Sequence, residues 1–256
     1  MQFIRIIILS FACSLLISCK TTNPLDAYQK FSDKQIYESA EQNMKRHRYE
    51  QATKDFEALD AIYPFGDYSQ QAQLDIITAY YKNEDAESAL AAADRYIRLY
   101  PRANNVDYAY YMKGVINQGP KENWFFAWIH AKPEKRDISS QKEAFEDFTI
   151  LLERFPNSQY APDARHRMTE IHYLLAQHEL EIAQYYLRRK TYVAAANRAV
   201  DLMNDYQGMP QIPAALEVMI KSYKALGENN MAESALRLLT NRYPASQEAK
   251  MMRSMR

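Results

Sequence analysis

The chain has 256 residues, with 32 basic and 32 acidic side chains, 47% hydrophobic content and only 5 glycines. Glycine this scarce leaves phosphate-cradling loops, multi-turn β-sandwiches and flexible Gly/Ser linkers poorly supported. A formal charge of zero argues against a nucleic-acid partner, because neutralising phosphate takes a clustered excess of Lys and Arg. The remainder is rich in helix formers, and 20 tyrosines point to extensive aromatic packing or a contact surface.

Residues 1–18 read as a signal peptide, with Arg5 followed by a mainly apolar run from Ile6 to Ile17 and no acidic residue. The run ends Leu16-Ile17-Ser18-Cys19, a lipobox-like cleavage site. The Cys19 thiol is the only group there able to take a diacylglycerol thioether. Cleavage before Cys19, with a covalent diacylglycerol and an N-acyl chain on that residue, is therefore expected. A plain secretory signal and an uncleaved anchor are the alternatives. Several acyl chains anchor stably where one binds only marginally. Cys13 leaves with the signal and Cys19 carries lipid, so the mature chain keeps no free thiol and no disulfide. Lys20 stands where an Asp would favour inner-membrane retention, which points to the periplasmic face of an outer membrane. Residues 19–32 then comprise the lipidated Cys and a short polar tether.

The body shows an internal repeat. Aromatic residues stand at regular helix stops: Tyr63-Pro64, Tyr100-Pro101, Phe155-Pro156, Tyr206-Gln207 and Tyr243-Pro244. Twelve residues before each Pro (or Gln207) is an alanine: Ala52, Ala89, Ala144, Ala195 and Ala232. Eight before is Phe56, Ala93, Phe148, Ala199 or Leu236. A small residue lets two antiparallel helices approach, the next apolar one fills the seam, and Pro ends the second helix. Consecutive stops are 37, 55, 51 and 37 residues apart, near the tetratricopeptide period of about 34 with insertions. First helices are expected at about 34–46, 68–82, 106–118, 176–189 and 213–226, with an additional one at about 161–175. The expected fold is all-α, a right-handed superhelix of about five tetratricopeptide-like helix pairs, a class that offers extended contact surfaces.

Catalytic and metal motifs are missing from the sequence. His166, His172 and His178 are spaced six apart, so each is rotated by about 240° from the last and one helix cannot aim them at a single ion. No H-E-x-x-H, P-loop or nucleophile elbow is present. No metal, no cofactor and no enzymatic activity are expected. Two segments ask for more than a turn. Ala61 to Ser69 carries three aromatics around Pro64 and Gly66. Gly66 suits positive φ there, and Asp67 or Ser69 suits a helix cap. Aromatic packing between repeats and a binding loop are both open readings. The insertion Gly119–Asp137 holds Trp124-Phe125-Phe126-Ala127-Trp128-Ile129, which reads as a partner site, a groove plug or a membrane-dipping loop.

Residues Tyr63-Pro-Phe-Gly-Asp-Tyr-Ser-Gln-Gln71, Ala79-Tyr-Tyr-Lys-Asn83, Asp94-Arg-Tyr-Ile-Arg-Leu99 and Phe155-Pro-Asn-Ser-Gln-Tyr160 resemble the BamD (YfiO/ComL) family. That family supplies the lipoprotein subunit of the outer-membrane β-barrel assembly machinery. The resemblance covers nearly all of the mature chain and implies a non-enzymatic scaffold. It implies that repeats in 33–160 receive the C-terminal β-signals of unfolded outer-membrane proteins. Repeats in 161–256 would dock on the periplasmic domain of the barrel insertase BamA, alongside other Bam lipoproteins. By the same resemblance Tyr63, Phe65, Gly66 and Tyr68 form a substrate-side loop, with Arg95 and Arg98 as further substrate-side residues. Arg198 matches an arginine linked to the insertase, although an internal helix–helix ion pair would suit it equally. A periplasmic repeat lipoprotein serving cell-wall synthesis or division is the alternative function.

Overall fold

The computed structural model describes residues 24–119 and 138–254. Cys19, the signal peptide and the Trp124–Trp128 segment lie outside these. The described residues form a short 3-10 turn, Pro24–Ala27, and eleven α-helices, with no strand among them. In chain order these are α1 (Asp33–Lys45), α2 (Tyr49–Ile62), α3 (Ser69–Lys82), α4 (Ala86–Leu99) and α5 (Val106–Gln118). There follow α6 (Ser139–Arg154), α7 (Ala161–Arg188), α8 (Tyr192–Asp205), α9 (Ile212–Leu226), α10 (Asn229–Arg242) and α11 (Gln247–Ser254). The chain divides into two compact units, Met1–Ala79 and Tyr80–Arg256.

The repeat arithmetic is visible in burial. Ala52, Ala89, Ala144, Ala195 and Ala232 are all buried, as are Phe56, Ala93, Phe148, Ala199 and Leu236. Within the second unit, α5 packs on α6, α7 on α8 and α9 on α10, and in the first unit α1 packs on α2. Gly114 shows how closely the helices approach: a Cβ there would lie 2.5 Å from the ring of Phe148.

Two turn types recur among the described residues. Each stop aromatic, Tyr63, Tyr100, Phe155, Tyr206 and Tyr243, leaves its helix near φ −127°, ψ 54°, with the other four close to that pair. A residue before Pro is pushed out of the helical region. Tyr206 precedes Gln207 yet adopts the same angles, so the repeat and not Pro alone holds the turn. The other type is a Schellman stop with a left-handed residue, at His47, Glu84, Lys190 and Gly227. The next amide bonds back five residues in each, as Thr191 N–H does to the Tyr186 carbonyl at 3.0 Å.

Two expectations need correction. The helices expected at 161–175 and 176–189 are one continuous helix of 28 residues, about 42 Å long. Nothing between them breaks a helix, so periodicity could not distinguish one from two. Residues 24–32 are also not a free tether, because Tyr28 is bound to the first helix pair.

Candidate functional site

The Tyr63–Tyr68 loop sits at the end of α2 and is braced from within. Gly66 N–H bonds to the Tyr63 carbonyl at 3.1 Å, and Ser69 N–H to the Gly66 carbonyl at 3.0 Å. The Ser69 hydroxyl donates to the Pro64 carbonyl at 2.8 Å, so it ties the loop to the start of α3. Tyr63 donates its hydroxyl to the Phe31 carbonyl at 2.8 Å, and the Tyr68 ring packs against Tyr37 at 5.0 Å. Both tyrosines therefore spend part of their surface on structure. Phe65 does not: it is 98% exposed, on a loop whose backbone is fixed around it. An aromatic ring held in water at this level contributes nothing to the core and is suited to burial by a partner.

Gly66 is not in the left-handed region, contrary to the sequence-based expectation; the positive-φ glycines are Gly119, Gly208 and Gly227. Glycine is needed there for approach. A Cβ would lie 2.8 Å from Asp33 Oδ2 and 3.3 Å from Tyr63 Cβ. The loop thus abuts the first turn of α1, where Ser32 and Gln35 form a reciprocal capping box. Phe31, immediately before it, is 48% exposed and was not singled out by sequence, though its place before the capping box marks it.

A buried carboxylate fixes this end of the chain. Asp55, 2% exposed, accepts from Tyr28 Oη at 2.7 Å and from Ser39 Oγ, Asn43 Nδ2 and Gln51 Nε2, each at 2.8 Å. Four donors make burial of the charge tolerable. Burial, and then the bond to Asp55, push the Tyr28 hydroxyl up to about 12. Nearby, burial raises the Asp75 carboxyl above the ordinary carboxylate range, with bonds from Tyr37 and Gln71 partly offsetting it.

The structure brings Tyr63, Phe65, Gly66 and Tyr68 together in one turn. Arg95 and Arg98 lie exposed on α4 in the second unit, apart from that loop in the chain. Arg198, on α8, reaches Glu179 on α7 at 3.2 Å, with side chains 43% and 13% exposed. The ion pair across two helices is therefore real, and the arginine still presents part of its surface to solvent. His172 stacks on Phe145 at 4.9 Å and meets Tyr206 edge-on at 5.2 Å. Among the described residues no cluster of three His, Cys, Asp or Glu is placed to hold a metal, and no helix is long and apolar enough to cross a membrane.

These features define a helical-repeat protein with a braced aromatic loop. The family model described as YfiO, outer membrane lipoprotein, matches residues 29–239, and the chain belongs to that family. Among its relatives, the outer membrane protein assembly factor BamD of Neisseria meningitidis serogroup B is 34% identical over 245 residues, covering 94% of this chain and 92% of the relative. BamD of Vibrio cholerae is 36% identical over 228 residues, covering 89% and 94%. The solved structure of PilW, a type IV pilus biogenesis factor, aligns over 86% of this chain and 97% of its own at 15% identity, with a TM-score of 0.36.

Proposed function

We propose that the chain is a non-enzymatic scaffold of outer-membrane protein assembly, anchored by acyl chains on Cys19 at the periplasmic face. Its relatives carry the assembly-factor name, and its own residues supply a binding loop. The observation that carries the reading is Phe65, 98% exposed on a turn stapled at both ends. A β-signal ends in aromatic side chains and a carboxylate. Phe65, with the free faces of Tyr63 and Tyr68, supplies the apolar contact for those aromatic side chains; Arg95 and Arg98, in the second unit, are separate substrate-side candidates. Docking on the insertase BamA is assigned to the face around Arg198, where other Bam lipoproteins are further candidates.

Recovery from native membranes tests the docking half. Arg198→Glu in a tagged chain is expected to lose a large β-barrel protein bearing periplasmic repeat domains. The double variant Arg198→Glu/Glu179→Arg keeps the ion pair but reverses the exposed charge. Continued loss in the double variant supports docking through Arg198; full recovery shows that the arginine is structural. Recovery of cell-wall enzymes without any barrel protein would favour the cell-wall scaffold instead.

A further inference from the structure

The crevice beside each helix pair changes character along the chain. The offset that carries Ala52 onto Ala89, Ala144, Ala195 and Ala232 carries Asp55 onto Ala92, Asp147, Arg198 and Ala235. The three charged members of this set are all partnered. Asp55 holds Tyr28, Asp147 takes Asn117 at 2.7 Å and Lys113 at 3.4 Å, and Arg198 pairs with Glu179. In the last pair the same offset turns a whole polar set apolar: Ser39, Asn43, Gln51 and Asp55 become Met219, Tyr223, Met231 and Ala235. These four line an open cavity of about 450 Å³ between α9 and α10. Leu238 borders it and also a second cavity of about 180 Å³, which Arg242 lines.

We propose that this groove docks a linear segment of a partner protein, with apolar side chains against Met219 and Met231 and a carboxylate on Arg242. The first repeat supplies the precedent, since the chain's own segment around Tyr28 is held on the corresponding face by one aromatic side chain. Here the polar hub is gone, so the occupant presents apolar groups instead. Methionine adapts to varied shapes, and Met231 is 49% exposed. Arg242 makes no ion pair among the described residues, which leaves its guanidinium available for a charge-assisted bond. From Asn230 to Arg242 the helix runs about 18 Å, the span of an extended segment of about five residues. None of these residues belongs to the aromatic loop, so the two sites fail or stand separately.

The test titrates the full chain in detergent with the labelled peptide Leu-Ser-Leu-Ser-Asp-amide and its Lys-ended counterpart. Wild type is expected to prefer the Asp peptide at least tenfold. Arg242→Glu should invert that preference, and Met231→Asp should weaken both peptides at least tenfold at an unchanged melting temperature. If Met231→Asp unfolds, the Arg242→Glu inversion decides alone. Absence of binding by wild type, or an unchanged preference in Arg242→Glu, overturns the proposal. So does a wild-type dimer in sedimentation that Met231→Asp returns to monomer, which would make a second copy the occupant.

Discussion

Gly114 and Gly66 lack a side chain under different pressures, and substitution separates them. At Gly114 the obstacle is the fully buried Phe148 ring at 2.5 Å, which has nowhere to move. Gly114→Ala is expected to cost about 1–3 kcal/mol by urea denaturation. At Gly66 the closest atom is the mobile end of Asp33, so Gly66→Ala should cost less than Gly114→Ala, and Asp33→Ala should recover part of it. His172 gives a pH signature. Burial holds its imidazole below the ordinary value of 6.5, so the folded state favours the neutral ring. That contribution is complete above about pH 6.5 and is lost as pH falls through the lowered value. Wild type should therefore lose stability on acidification through this range more steeply than His172→Phe, as read by melting temperature. Equal slopes would show that the stack on Phe145 does not depend on protonation.

At the scale of helices and turns, the alanine and aromatic offsets were legible because packing distance dictates them. Two helices can close only where one side chain is small, so Ala52 and its equivalents declare the pairing in the sequence. The continuity of α7 was not legible, because an amphipathic pattern reads alike in one helix or two. Nor was the state of Gly66, since glycine serves left-handed turns and close approaches equally. Tyr28 was missed because its partner, Asp55, looks in sequence like any polar-face carboxylate, and only folding gathers its four donors. The Schellman stops make a further prediction. Lys190 is held at φ 60°, a conformation that costs an L-residue about 1–2 kcal/mol, part of it returned by the lower backbone freedom of lysine when unfolded. Lys190→Gly should stabilise the protein by roughly 0.5–1 kcal/mol. A lower melting temperature would mean that the lysine side chain makes a compensating contact.

For the molecule as a whole, the family assignment and the helical-repeat architecture support the scaffold reading proposed above. The protein's chemistry is spread over surfaces: an aromatic loop on the first pair, a half-exposed arginine on the fourth and a methionine groove on the fifth. The central claim is that the first of these receives aromatic C-terminal segments. Its most direct test is a titration of intact lipoprotein, wild type and Phe65→Ala, with a synthetic peptide ending in Tyr-x-Phe and a free carboxylate. Phe65 is too exposed to support the fold, so the melting temperature should not move. The account predicts at least a tenfold loss of affinity in the variant. Equal affinity at equal stability would contradict it and leave the loop a structural turn.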